Sequence, residues 1–322
     1  MWRSIAGLAA ALLISGEACA QAFPSKPITV IVSVAPGGTL DALARLTGAG
    51  MTNILKQPVV VENVAGAGGL VGFQRLTKSE PDGYTLMFSN LSMPLIPLLY
   101  PKSGINAVTD AAAIGQVATV PMVLGVSLKS GIGDLPSMLK RMRDGSLKPD
   151  MGSGGPGTTA HLAEAIFLQL AKGKGELVQY RGSGPAITDL MAGTIDGVID
   201  QTVTMMPLHQ DKRIKAIAVS SPKRLPQMPD VPTFAEGGLP EFDYVIWNAY
   251  FAPKGTPKAV IAAIADAISK TLDSPEYKTQ MDRMASQAPT PAERGPDALA
   301  HLVQNDSKRL AAIAQSAGLQ AR

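Results

Sequence analysis

Two glycine-rich stretches carry the residues best suited to chemistry. The first reads Ala35-Pro36-Gly37-Gly38-Thr39 and follows a β-branched run, Ile28 to Val34. The second reads Gly152-Ser153-Gly154-Gly155-Pro156-Gly157-Thr158-Thr159 and leads into a helical pattern. Consecutive backbone N–H groups in a glycine turn, followed by the positive end of a helix, make a concavity for an anion. Glycine lets the backbone approach a ligand closely and adopt positive φ. In the first stretch Thr39 is a candidate N-cap. Asp41 suits the helix dipole in the first turn but repels a nearby anion, so its expected work is capping or loop ordering. A ligand amino group is its alternative partner. In the second stretch Ser153, Thr158 and Thr159 add hydroxyl donors. His161 follows in the first turns, where the dipole favours neutral imidazole, and packs or donates one hydrogen bond. Each stretch alone also fits a plain role, an ordinary strand-to-helix turn or a surface loop. Together they offer a carboxylate fixed donors without an Arg or Lys, and a dicarboxylate can bridge two such sites across a cleft.

Other signals are weaker. Ser89 and Asn90, expected just after the third strand, stand where a parallel sheet presents side chains at its carboxyl edge, or serve a turn. Asp196 and Asp200 lie four apart around a strand end. They form an acid pair, or one caps a turn and the other faces the cleft. Trp247 reads as packing. Gly66, Gly68 and Gly72 miss the spacing of a dinucleotide fingerprint, and no P-loop, HExxH, EF-hand or nucleophile-elbow motif occurs. Ser153 has no nucleophile-elbow frame, and His161 is eight residues on across a helix start, which disfavours a hydrolase. No catalytic residue, no metal site and no cofactor are expected.

Composition narrows the class further. The 322 residues carry 29 Lys+Arg and 26 Asp+Glu, a net charge of +3, with 17% charged and 46% apolar residues. That apolar share builds real cores, and the modest charge argues against global disorder or a nucleic-acid-coating surface. One cysteine excludes an intrachain disulfide framework, and histidines at 161, 209 and 301 share no ligand spacing. Residues 1–22 read as one positive charge, ten apolar residues and a small-residue tail with A-x-A patterns at 18–20 and 20–22. This is the pattern of a signal peptide, too short for a membrane span. Glu17, two places before Cys19, disfavours a lipid anchor on that cysteine.

Strand and helix patterns then alternate. Ile28–Val34, Val59–Glu62 and Tyr84–Phe88 read as strands, with helical spacing from Leu40 and a short helix over 70–79. That is a βαβαβ unit, expected to form a parallel sheet. Residues 114–128 read as a strand at an edge or a crossing, because Pro121 lies inside it. Helices are expected at 135–143, 185–192, 257–273 and 293–317, and short strands at ELVQY, IDGVID and 215–220. The passage 221–240 holds five prolines and reads as irregular. Two βα modules with glycine-rich helix starts predict two lobes facing a cleft.

Several runs, in order, carry a resemblance: KPITVIVSVAPGGTLDALAR, QPVVVENVAGAGG, PDGYTLMF, GSGGPGTTAHL, QYRGSGPAITDLMAGTID and the stretch from KAIAVSSPKRL to the KGTPKAV segment. In these the chain resembles the substrate-binding proteins of tripartite tricarboxylate transporters, the Bordetella uptake gene family. The resemblance implies an α/β, two-lobed, class II periplasmic-binding-protein-like fold, each lobe a β-sheet flanked by helices. It implies a non-enzymatic, monomeric periplasmic receptor that closes on a small organic mono- or dicarboxylate for membrane transporter subunits, with no nucleic-acid partner. A receptor signalling to a membrane sensor is the alternative. Pro36, Gly37, Gly38, Thr39 and Asp41 match one clamping loop, and Ser153, Gly154, Gly155, Thr158 and His161 the other. Ser89, Asn90 and Asp200 line the same cleft. The implied division is 1–22 signal peptide, 23–124 with 229–322 as the first lobe, and 125–228 as the second, with crossings near 120–126 and 220–230. The chain departs from the family pattern at Val34, where an aromatic is usual, at Pro156, Gln201 and Val203, and at Lys212, where a glycine is usual. These departures bear on ligand identity, and Val34 changes one wall of the cleft.

Overall fold

The computed structural model describes residues 23–106 and 108–316. The expected signal peptide lies outside them. Strand β1 (Ile28–Val32) is buried on both faces apart from one half-buried position, as a central parallel strand must be. The Pro-Gly-Gly break stops it, and helix α1 (Thr39–Leu55) buries Leu40, Leu43, Ala44, Thr47 and Met51 on one face. α1 ends at Lys56 in the left-handed conformation, whose N–H bonds back to the Thr52 carbonyl. Strand β2 (Val59–Asn63), helix α2 (Leu70–Thr77) and strand β3 (Thr85–Asn90) complete the βαβαβ unit, with β2 and β3 parallel to β1 on either side. Ser89 and Asn90 close β3 rather than follow it, because they pair with Ala249 and Asn248 of a distant strand.

After the short helix α3 (Ile96–Leu99) comes strand β4 (Ala111–Val126), 16 residues long. Helix α4 (Leu135–Arg143) starts on Asp134, whose carboxylate accepts the Ser137 N–H at 2.7 Å. Strand β5 (Asp150–Ser153), helix α5 (Thr159–Ala171), strand β6 (Glu176–Gln179), helix α6 (Ser183–Ala192) and strand β7 (Gly197–Gln201) follow. β5 runs parallel to both β6 and β7. Helix α7 (Thr202–Gln210), strand β8 (Lys215–Val219), strand β9 (Val245–Pro253) and helices α8 (Lys258–Asp273), α9 (Pro275–Arg283) and α10 (Pro296–Ser316) end the described chain. Of these, α7, β9 and α9 are elements that the local sequence patterns do not announce.

The fold is two-lobed α/β, and β4 runs through both lobes. Its first part, Ala111 to Pro121, pairs antiparallel with β9, which pairs in turn with β3. Its last part, Met122 to Val126, lies between β7 and β8. Pro121 therefore sits where the strand changes partners, and that first part has β9 on one side and only an isolated bridge from Thr119 to Gln287 on the other. Both halves of the reading, edge and crossing, hold. A residue without an N–H is tolerated there because no continuous ladder needs it.

The return does not come at 220–230. Thr233 bridges to Val219, Phe234 packs on Phe167 at 6.4 Å between ring centroids, and Phe234 stacks on Phe242 at 4.1 Å. These aromatic contacts hold the proline-rich passage against the second sheet. The chain rejoins the first sheet only at Val245, opposite Pro121. Apolar clusters fill both faces of each sheet. One gathers α1, α8 and α9 on the first sheet, one gathers α6 and α7 on the second, and the largest runs beneath both.

Candidate functional site

Each βα module delivers a helix start to the space between the lobes. β1 feeds α1, β5 feeds α5, and β6 feeds α6 through Arg181-Gly182. The ends of β3 and β7 add Asn90, Asp200 and Gln201. All five strands present their carboxyl ends here, the edge at which open α/β sheets bind ligands. An inner chamber of about 80 Å³ results. Pro36, Gly38, Thr39, Asn90, Gly154, Thr158 and Asp200 of the expected site line it. It adjoins an outer chamber of about 410 Å³ that Gly155 also lines.

The lobes touch across this space. Gly68 has φ +60°, and a Cβ there would lie 2.5 Å from the Pro156 carbonyl oxygen and 3.0 Å from the Gly157 Cα. Only glycine permits both the backbone conformation and the approach.

Five expected residues, Gly37, Asp41, Ser89, Ser153 and His161, line neither chamber. The Gly37 N–H donates to Asp41 Oδ2 at 3.1 Å. Asp41 is buried beside the loop. Its Oδ1 accepts from Arg45 at 3.0 Å and from the Asn63 amide at 3.0 Å, which leaves it loop-ordering work. Burial pushes its carboxyl up, but the Arg45 guanidinium, the Gly37 N–H and Asn63 outweigh this and hold it below the ordinary value. Ser153 is fully buried at the end of β5, and its Oγ accepts the Gly155 N–H at 3.4 Å. His161 Nδ1 accepts the Gly157 N–H at 3.3 Å. Among the described residues Ser153 and His161 are seen with different partners, the Gly155 and Gly157 N–H groups. Ser89 is buried under the sheet pairing.

Thr39 is not the N-cap. Gly38 holds that position with no side-chain bond, because Asp41 already organises the turn, and Thr39 becomes the first helical residue. Its Oγ1 is buried and unpartnered. Thr158, by contrast, is a true cap of α5, accepting the His161 N–H at 3.3 Å. Thr159 then takes the place in α5 that Thr39 takes in α1, and its hydroxyl has no partner among the described residues. The N–H groups of Thr39, Leu40, Thr159 and Ala160 have no acceptor one turn back within their helices. Asn90 Oδ1 accepts both the N–H and the hydroxyl of Ser92, at 3.0 and 2.7 Å, which leaves its NH2 group without a partner among the described residues.

Asp200 is the one charged side chain lining the inner chamber. Burial pushes its carboxyl up, against hydrogen bonds from Ser183, the Gln201 N–H and Thr204. Glu164 lies behind it, fully buried, with one carboxyl oxygen on the Ile199 N–H at 3.3 Å and the other unpartnered. Burial first, and then the neighbouring Asp200, push Glu164 well above the ordinary carboxylate value. Burial thus works against the full charge of Asp200 at the chamber wall, which lessens its repulsion of an anion. Among the described residues Asp196 caps no turn of its own; its Oδ2 accepts the Asp150 N–H at 2.9 Å and braces the start of β5. Trp247 donates to Asp306 Oδ2 at 2.7 Å and lines neither chamber.

Ser33, Val34, Ala35, Leu40, Gly68, Ser92, Thr159, Gln201 and the stretch Gly182 to Pro185 complete the inner lining. The last stretch was legible in principle: β6, then Gly182, then α6 opening on Ser183-Gly184-Pro185 repeats the strand–glycine–helix pattern. Val34 lies in both chambers, where an aromatic would narrow the space. Among the described residues no group of His, Cys, Asp and Glu is gathered to hold a metal ion.

Two α/β lobes closing helix starts around a shared cavity define a solute-binding receptor. Residues 43–319 match the model described as tripartite tricarboxylate transporter family receptor, and the chain belongs to that family. It is 36% identical over 310 residues to the UPF0065 protein in the tcbD-tcbE intergenic region of Pseudomonas sp. (strain P51), covering 95% of this chain and 91% of that one. The solved structure of the periplasmic binding protein BugD superposes with a TM-score of 0.88 at 28% identity, covering 93% and 100%. MatC from Rhodopseudomonas palustris with bound malate superposes at 0.85 and 31% identity, covering 90% and 99%. The family consists of transport receptors rather than enzymes, in line with the site chemistry expected from the sequence.

Proposed function

We propose that this protein captures a small organic mono- or dicarboxylate between its lobes and delivers it to the membrane subunits of a tripartite tricarboxylate-type transporter. It is exported to the periplasm by the segment 1–22 and acts as a monomer. The lobes that close are residues 23–121 with 245–316, and residues 122–244. The carrying observation is the pair of helix starts that meet at the inner chamber, each with an unused threonine hydroxyl, Thr39 and Thr159, beside orphan N–H groups. A carboxylate there receives neutral donors and the positive ends of two helix dipoles. Its charge is met without a lysine or arginine in the inner lining. Malate bound to the relative MatC supports the ligand class. Binding to the closed arrangement shifts the lobes' equilibrium toward it.

Isothermal titration against C4–C10 organic acids tests this. At least one carboxylate should bind. At a hundredfold excess over Kd, a ligand specific for the folded state adds about 2.7 kcal/mol of stability, readable as a thermal shift. A sugar or a metal ion binding where no carboxylate does would overturn the reading.

A further inference from the structure

The inner and outer chambers share Ser33, Val34, Ala35, Gly68, Gly154, Thr158 and Gly182 in their walls, so they adjoin. The inner chamber, about 80 Å³, has room for a head group and little more. One water alone needs roughly 10–15 Å³ on the same kind of measure. Any longer ligand must extend into the outer chamber, about 410 Å³. That chamber is lined by glycine, alanine, valine, proline, hydroxyl groups and Tyr180, with a single charged side chain, Arg181.

Most described arginines are engaged, and Arg181 differs from Arg213 and Arg283, which also lack a partner among the described residues, in lining the cavity. Arg45, Arg75, Arg224, Arg294 and Arg309 each hold a carboxylate. The Arg181 side chain has no ion pair or hydrogen bond among the described residues. Its backbone is nevertheless fixed. On one side the Tyr180 N–H bonds to the Ser153 carbonyl at 2.9 Å, and on the other the Gly182 N–H bonds to the Gly154 carbonyl at 3.0 Å. The Tyr180 phenol is tied in turn to Asp189 Oδ2 at 2.7 Å. Arg181 is exposed on a pinned segment of the cavity wall, with no acid in the outer lining to neutralise it, so its guanidinium is free to meet an incoming anion.

We infer that Arg181 selects the far end of the ligand. The receptor takes an elongated dianion, with one carboxylate at the starts of α1 and α5 and the second on the Arg181 fork. Guanidinium and carboxylate match as planar, two-point partners, and the charge-assisted bond exceeds a neutral one. This inference rests on the carboxylate reading above.

The experiment compares chain-matched pairs, adipate with hexanoate and succinate with butanoate, by calorimetry on the wild type, Arg181→Gln and Arg181→Lys. Melting curves of the three proteins check folding. In the wild type one dicarboxylate should bind about 30-fold tighter than its monocarboxylate partner, the size of a charged hydrogen bond. Arg181→Gln should collapse that ratio to within about threefold, and Arg181→Lys should restore part of it. If wild-type and Arg181→Gln proteins keep the same ratio, or the wild type shows no preference while binding monocarboxylates, this inference falls and the carboxylate receptor stands. If the wild type binds no acid of either pair or of the wider panel, the receptor reading fails and takes this inference with it.

Discussion

The two clamping loops solve one problem with different chemistry. In each, the N–H of a glycine is taken by the side chain four residues on, Gly37 by Asp41 and Gly157 by His161. The first loop uses a carboxylate, which then needs Arg45 and Asn63 around it. The second uses an imidazole nitrogen and adds a hydroxyl cap, Thr158. In the first, the dipole end of α1 is partly offset by an anion in its own first turn. In the second, α5 has no acidic residue in its first turn, so its positive end is less compensated. Loop order and anion affinity are thus separate properties. The first loop is built for rigidity at some electrostatic cost, and the second leaves more of its field to the ligand.

The largest expected effect falls on the threonines that occupy the same place in both loops. Thr39→Val and Thr159→Val each remove a hydroxyl and keep the shape, and each should weaken the bound carboxylate about tenfold. They stand in different lobes, so the losses should add. Calorimetry on the singles and the double reads this directly. A loss from Thr159→Val alone would mean that the second loop is the whole anion seat.

A smaller effect, on stability, should distinguish Asp41. Asp41→Asn keeps one acceptor but loses the charge facing Arg45, and should cost about 1 kcal/mol in urea unfolding. The folded carboxyl is held below its ordinary value, so its stabilisation is present at neutral pH and fades as pH falls below about 3.8. Wild type and variant should therefore converge in acid. Curves that stay parallel from pH 7 to 3 would show that Asp41 contributes by shape rather than charge.

The smallest effect has the opposite sign and belongs to the second lobe. Glu164 is pushed above 4.5 by burial, so the fold favours its protonated form. Its contribution is favourable in mild acid and is lost as pH rises through the folded value. The wild-type melting temperature should fall between pH 5 and 8, and Glu164→Gln should flatten that fall. An unchanged slope would place the alkaline sensitivity elsewhere.

Much of this site was legible because its signals are local. The two glycine turns, the helix starts behind them and Asp41's ordering work all follow from residues within four or five positions of each other. The role of Thr39 was misread because capping competes with Asp41 for the same turn, and the winner depends on Arg45 and Asn63. The third loop, Gly182 to Pro185, had the same pattern as the other two but no feature to rank it. β9 was hidden for a different reason. Its last eight residues are buried and it follows a proline-rich passage, so no alternation marks it as a strand.

By itself, the amino-acid order settles which segments turn, which become helices, and that two helix starts are rich in bare amide groups. These depend on short-range sterics and on hydrogen bonds that close within a turn. What only the tertiary structure decides is that those starts face one another, that Arg181 shares their cavity, and that Gly37 is spent inside its own loop. Those distances are set by β4 pairing with β9 more than 120 residues away and by Gly68 meeting Pro156 across the lobes. No local pattern encodes a separation that arises only when distant strands have closed.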